Sequence, residues 1–149
     1  MHLRPGLRIL LLCVVALAGV GTAAAMMAPA VYREARQTAP YHVQVAISRV
    51  APPAQTPGSC VVEGKVVRIF RDEPKRLADG AVVRFGVACN RPTDPPRASG
   101  ILWTDLETLA GARYIEAYLV DDKGGFGVAL WQSRIIDAPS RAPQLPVDR

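Results

Sequence analysis

The sequence predicts a small, mainly β protein of one domain, with one short helix and a cross-strand disulfide. Three observations carry that expectation. Apolar and polar residues alternate over several segments, the pattern of half-buried strands. Proline and glycine clusters punctuate the chain in stretches too short for a domain boundary. Cys60 and Cys89 lie in segments rich in β-branched and aromatic residues, behind an opening segment that reads as an export signal.

In that opening, Arg4 and Arg8 precede an uncharged run from Ile9 to Val20, followed by small residues ending Thr22-Ala23-Ala24-Ala25. Basic, apolar and small residues in that order make residues 1–25 a secretory signal peptide and residues 26–149 the mature domain. No charge occurs between Arg8 and Arg33, so an uncleaved anchor in the inner membrane is the alternative, and the glycines and alanines ahead of residue 26 favour cleavage. The expected location is periplasmic or secreted. Removing Cys13 with the signal leaves Cys60 and Cys89 where disulfides persist.

The mature chain opens with an N-terminal segment, residues 26–40, in which Ala30 to Ala39 suits one or two helical turns between Pro29 and Pro40. A core over residues 41–136 follows. Tyr41 to Ser48 alternates, with Tyr41, Val43, Val45 and Ile47 on one face, so a strand is expected. The Pro-rich link from Ala51 to Pro57 leads to two strand segments, Cys60 to Arg71 and Ala81 to Cys89, joined by turn residues that include Pro74 and Asp79-Gly80. An antiparallel pair centred on Pro74-Lys75 would set Cys60 opposite Cys89, closing a loop worth roughly 3–4 kcal/mol of chain entropy. Two buried, reduced cysteines are the alternative.

Beyond the cysteines, Asn90 to Ser99 is a Pro-rich connection and Ile101 to Trp103 a short apolar run read as a strand. Thr104-Asp-Leu-Glu107 fits a capping box, so a helix is expected over residues 105–110. Residues 112–120 either continue that helix or form a strand. Periodicity favours the strand, since Ile115, Ala117 and Leu119 then share one face. Asp121 to Gly125 reads as a turn, Phe126 to Ile136 as the last strand, and residues 137–149 as a Pro-rich tail.

This order of elements resembles an OB-type β-barrel, in which a long first strand bends at a glycine and a helix sits between the third and fourth strands. Gly64 is placed for such a bend, with Val62 on the face of Cys60 before it and Lys65, Val67 and Ile69 on the other parity after it. Leu109 to Leu119, taken with the half beginning at Cys60, is similar to netrin-like modules, which implies an exported, disulfide-bonded barrel over Cys60 to Ile136. The Ala129 to Ile136 close resembles small exported bacterial proteins of no assigned function. Neither resemblance carries over a catalytic residue.

His42 is the one histidine of the mature chain, which excludes any mechanism needing two in a single copy. Zinc sites lack ligands, so no metal and no cofactor is expected. None of Ser48, Ser59, Ser99, Ser133 and Ser140 sits in a G-x-S-x-G elbow. Asp105 with Glu107, and Asp121 with Asp122, are explained first by capping and turn formation. The formal charge of +5, part of it on the signal, is not a nucleic-acid signature, and no nucleic-acid partner is expected.

Two surface groups stand out as candidates for binding. Arg68, Arg71, Lys75, Arg76 and Arg84 gather toward the far end of the cysteine hairpin, suited to an anionic partner. Phe70, Trp103, Tyr114 and Tyr118 are candidates for an aromatic binding face. The function expected is a non-enzymatic binding or accessory module of the bacterial envelope, recognising a protein, a glycan or a lipid phosphate. The alternatives are a small envelope hydrolase using His42 or a carboxylate pair, and a structural subunit that pairs through the edge of the Tyr41 to Ser48 strand.

Overall fold

The computed structural model describes residues 27–95 and 100–148. The expected signal peptide, residues 1–25 with Cys13, and Ser99 lie outside the described residues. The chain runs α1 (Pro29–Thr38), β1 (Tyr41–Ala51), β2 (Gly58–Asp72), β3 (Val82–Asn90), β4 (Thr104–Asp105), α2 (Leu106–Gly111), β5 (Tyr114–Asp122) and β6 (Gly125–Ile136). No helix among the described residues is long and apolar enough to cross a membrane.

The strands close into a five-stranded barrel in the order β1-β2-β3-β6-β5-β1, antiparallel except for the parallel β3–β6 pair. With α2 between β3 and β5, this is OB-type connectivity. Residues 112–120 therefore belong to a strand from Tyr114 onward, not to an extended helix. The alternating residues fill the barrel: Val43 and Val45 of β1, Val62 and Val66 of β2, Phe85 of β3, and Ile115 and Leu119 of β5, with Leu109 of α2 packed against them. Tyr41 joins this core edge-on to Phe126, 5.1 Å between centroids, and sends its hydroxyl to Asp121.

Gly64 is where β2 crosses from one half of the barrel to the other, paired to Ile47 of β1 and to Val83 of β3. A Cβ there would lie 2.3 Å from the Ala46 carbonyl oxygen and 2.6 Å from Val45 Cγ1, so only glycine admits the approach. The change of parity comes later than the sequence implies. Cys60, Val62 and Val66 all face inward, and the shift to Ile69 follows an extra residue, Val67, in the β1–β2 ladder.

The Cys60–Cys89 disulfide is present, with 5.8 Å between the Cα atoms. Its register differs from the expected direct opposition: Cys60 faces Val87 and Cys89 faces Gly58, so the bridge is diagonal. The β2–β3 ladder ends at Lys65 and Val82 while β2 runs on to Asp72 paired with β1 alone, so the β2–β3 connection is lopsided and not centred on Pro74-Lys75.

Three further expectations are corrected. The Tyr41 to Ser48 segment is flanked by β2 and β5 and offers no free edge for assembly. Ile101 to Trp103 is not a strand, and the two-residue β4 begins at Thr104. The cap of α2 is Asp105, whose carboxylate accepts from the Thr108 amide at 2.8 Å, with Thr104 taken up in pairing to Cys89.

A second layer covers the outer face of β1 and β5. The helix α1, the irregular middle of β6 and the tail meet over Tyr118 and Ala129, with Ala35, Leu145 and Val147 around them. Arg71 holds α1 in place, its guanidinium donating to the carbonyls of Arg36, Gln37 and Ala39, where a cation also complements the helix C-terminus. Arg36 reaches from α1 to Gln132 and to the Val147 carbonyl of the tail.

Candidate functional site

The alternation of β1 sends His42 and Gln44 out of the barrel, where they meet the outward Tyr118 and Glu116 of β5. This polar side is covered by the tail, so His42 is 3 % exposed and Glu116 0 %. His42 stacks on Tyr118 at 3.8 Å between centroids and leans on Phe70 at 4.8 Å. Its Nε2 lies 2.7 Å from Glu116 Oε1, and the same carboxylate accepts from Gln44 Nε2 and from the amides of Gln144 and Leu145. Burial pushes the Glu116 carboxyl up, but the bonds from His42, Gln44 and the two tail amides outweigh it and bring it down to about 2. Burial and the Glu116 charge push the Tyr118 hydroxyl up to about 12.

Ser140 is the serine of this network, and it bonds Gln44 and the Ala142 carbonyl, with no hydrogen bond to His42. The constellation thus joins two strands to the tail inside a closed layer. Among the described residues no group of three or more His, Cys, Asp or Glu side chains is placed to hold a metal ion.

The predicted basic group is divided. Arg71 is spent on α1, and Arg76 pairs with Asp121 at 2.8 Å while also donating to Tyr41. Lys75 stands in the exposed turn after β2, and Arg68 faces Gln44 across the β1–β2 ladder. Arg84 projects from the outer face of β3, on the same side as Gly86 and Ala88. The aromatic group is divided too. Tyr118 is fully buried and Phe70 packs on His42, so neither forms a binding face with Trp103, while Tyr114 sits beside Arg113.

Trp103 instead shares a groove with a residue the sequence reading did not single out, Trp131. The two tryptophans of the chain line one groove of about 370 Å³. Gly58, Ser59, Gly86, Ala88, Ile101, Asp122, Gly127 and Val128 line it with them. The groove arises where the barrel seam parts. On one edge of β3 the pairing with β6 ends at Gly86 and Gly127, and β4 takes over only at Cys89, leaving Val87 and Ala88 with no ladder neighbour on that side.

β6 supplies Trp131 through a wide bulge. Ala117 faces Ser133 and Leu119 faces Val128, so residues 129–132 all stand against Tyr118 alone. Leu130 and Trp131 take left-handed conformations, with φ of 40° and 58°, which costs on the order of 1–2 kcal/mol each for residues with a Cβ. Gly86 also lies close to its neighbour, since a Cβ there would stand 2.5 Å from Ser59 Oγ and the hydroxyl would have to turn away. Both tryptophans stand in segments of ordinary apolar composition, and nothing in sequence spacing signals that they line one groove.

No protein-family model matches the chain, and no curated protein is detectably similar to it.

Proposed function

We propose that the protein is a non-enzymatic, saccharide-binding module of the bacterial envelope, exported and braced by its disulfide. One observation carries this reading: both tryptophans line a single groove together with three glycines, Ser59 and Asp122. Sugar rings present flat C–H faces suited to stacking on indoles, and edges of hydroxyls suited to a carboxylate acceptor. The left-handed residues of β6 support the same reading, since backbone strain persists where a site needs a side chain aimed. A barrel stapled on itself loses little conformational entropy on binding, which suits display of a groove over turnover. The non-enzymatic part rests on His42 and Glu116 being committed to each other away from solvent.

The test is a glycan array followed by tryptophan-fluorescence titration of the glycans it captures. Trp103→Ala and Trp131→Gly, the second chosen because glycine tolerates the φ of 58°, are each expected to weaken binding about tenfold, the loss of one stacked ring. Capture of no glycan, or unchanged affinity in both folded variants, would overturn the proposal.

A further inference from the structure

The indole groove does not end at Asp122. A second depression of about 380 Å³ shares Gly86 and Asp122 with it and is lined beyond them by Arg84 and Lys123. A small hollow past that one joins Arg84 to Arg49 and Glu63. Arg84 stands two residues from Gly86 on the same face of β3, about 7 Å along the strand, within reach of a substituent on a ring held between the tryptophans or on the next ring.

The cations of this rim differ from those that hold the fold. Arg36, Arg71, Arg76 and Arg134 spend their donors on carbonyls, on Gln132 or on Asp121. Among the described residues Arg49, Arg84 and Lys123 make no side-chain hydrogen bond and no ion pair, although Glu63 and Asp122 line the same hollows. Three cations against two carboxylates leave the rim net positive, and its guanidinium groups keep their paired donors for an incoming anion.

We propose that Arg49, Arg84 and Lys123 make the groove selective for saccharides that bear a carboxylate or phosphate on or next to the stacked ring. This rests on the saccharide reading above. Stacking between Trp103 and Trp131 supplies contact common to all sugars, and the rim supplies the discrimination, by charge-assisted hydrogen bonds from Arg84 and Arg49 and by the Lys123 ammonium.

The experiment uses two matched pairs of probes with the disulfide-bonded protein. One pair is a galacturonic acid trimer and its methyl ester, and the other is a diphosphorylated glucosamine disaccharide and its dephosphorylated form. The acidic member of at least one pair is expected to bind tenfold or more tighter than its neutral partner, and the pair that shows this identifies carboxylate or phosphate as the source. Arg84→Ala is expected to weaken the acidic member five- to tenfold and the neutral member less than twofold. Lys123→Asn provides a second variant, since asparagine suits the left-handed turn position that Lys123 occupies at φ 37°. Equal binding of the matched members, or acidic affinity untouched in both variants, would overturn the selectivity alone. No binding by any probe, together with an empty glycan array, would overturn the saccharide reading with it.

Discussion

Glu116 is a carboxylate at 0 % exposure with four donors at 2.7–2.9 Å. Its folded pKa of about 2 lies below the ordinary 4.5, so ionised Glu116 contributes stability that is present above pH 4.5 and lost as pH falls toward 2. A shift of that size corresponds to about 3 kcal/mol. Urea unfolding of the wild type is therefore expected to weaken by about that amount between pH 4.5 and 2. In Glu116→Gln the pH dependence should flatten over that window, with much of the loss already present at pH 7, because the amide brings a donor among donors. Parallel pH curves for the two proteins would show that the carboxylate is not held ionised. This residue was not legible beforehand: His42 and Gln44 occupy the polar parity of β1, which reads as solvent-facing, and only the tail makes that face an interior.

At the scale of elements, Gly64 decides whether β2 can serve both halves of the barrel. Gly64→Ala would set a methyl group 2.3 Å from a backbone carbonyl oxygen, and the expected cost is about 3 kcal/mol or more by denaturant midpoint. Gly111→Ala is the control, since a Cβ there meets nothing within 4 Å, and it should be neutral or stabilise by up to about 1 kcal/mol. Equal effects of the two substitutions would refute the close approach as the reason for Gly64. The five barrel strands, the helix near residue 105 and the pairing of Cys60 with Cys89 were readable in the sequence. These follow from local alternation, turn residues and cysteine number. Register was not readable, because β2 pairs with β3 only as far as Lys65 while it pairs with β1 from Val61 to Asp72, and the symmetric hairpin implied by Pro74 and Lys75 never forms. The β6 bulge was hidden for a related reason: Leu130 and Trp131 are residues that ordinarily avoid positive φ, so their composition argues for an uninterrupted strand.

For the whole molecule, the diagonal Cys60–Cys89 bridge ties β2 to β3 directly beside the open seam that forms the groove. Closing a loop of sequence separation 29 restricts the unfolded chain by roughly 3–4 kcal/mol in the entropy model. The double variant Cys60→Ala/Cys89→Ala is expected to lose that much in urea unfolding at neutral pH, and a loss below about 1 kcal/mol would show that the constraint acts little on the unfolded state. Most of the groove lies on β2, β3 and β6, so its indoles should also lose their fixed spacing in that variant, read as weaker quenching in the fluorescence titration.

The tail carries a consequence for how the chain is made. Two of the four donors to Glu116 belong to residues 144 and 145, and Arg36 finds its carbonyl partner at residue 147. All strands of the barrel have been synthesised by Ile136, yet a nascent chain at that point still carries a buried-side carboxylate with half its shell missing. Completion of the fold therefore waits on residues 144–147. A product cut short between residues 136 and 144 keeps every strand and still presents an uncompensated charge on an open face, which is what distinguishes it from the finished protein to a protease or a chaperone.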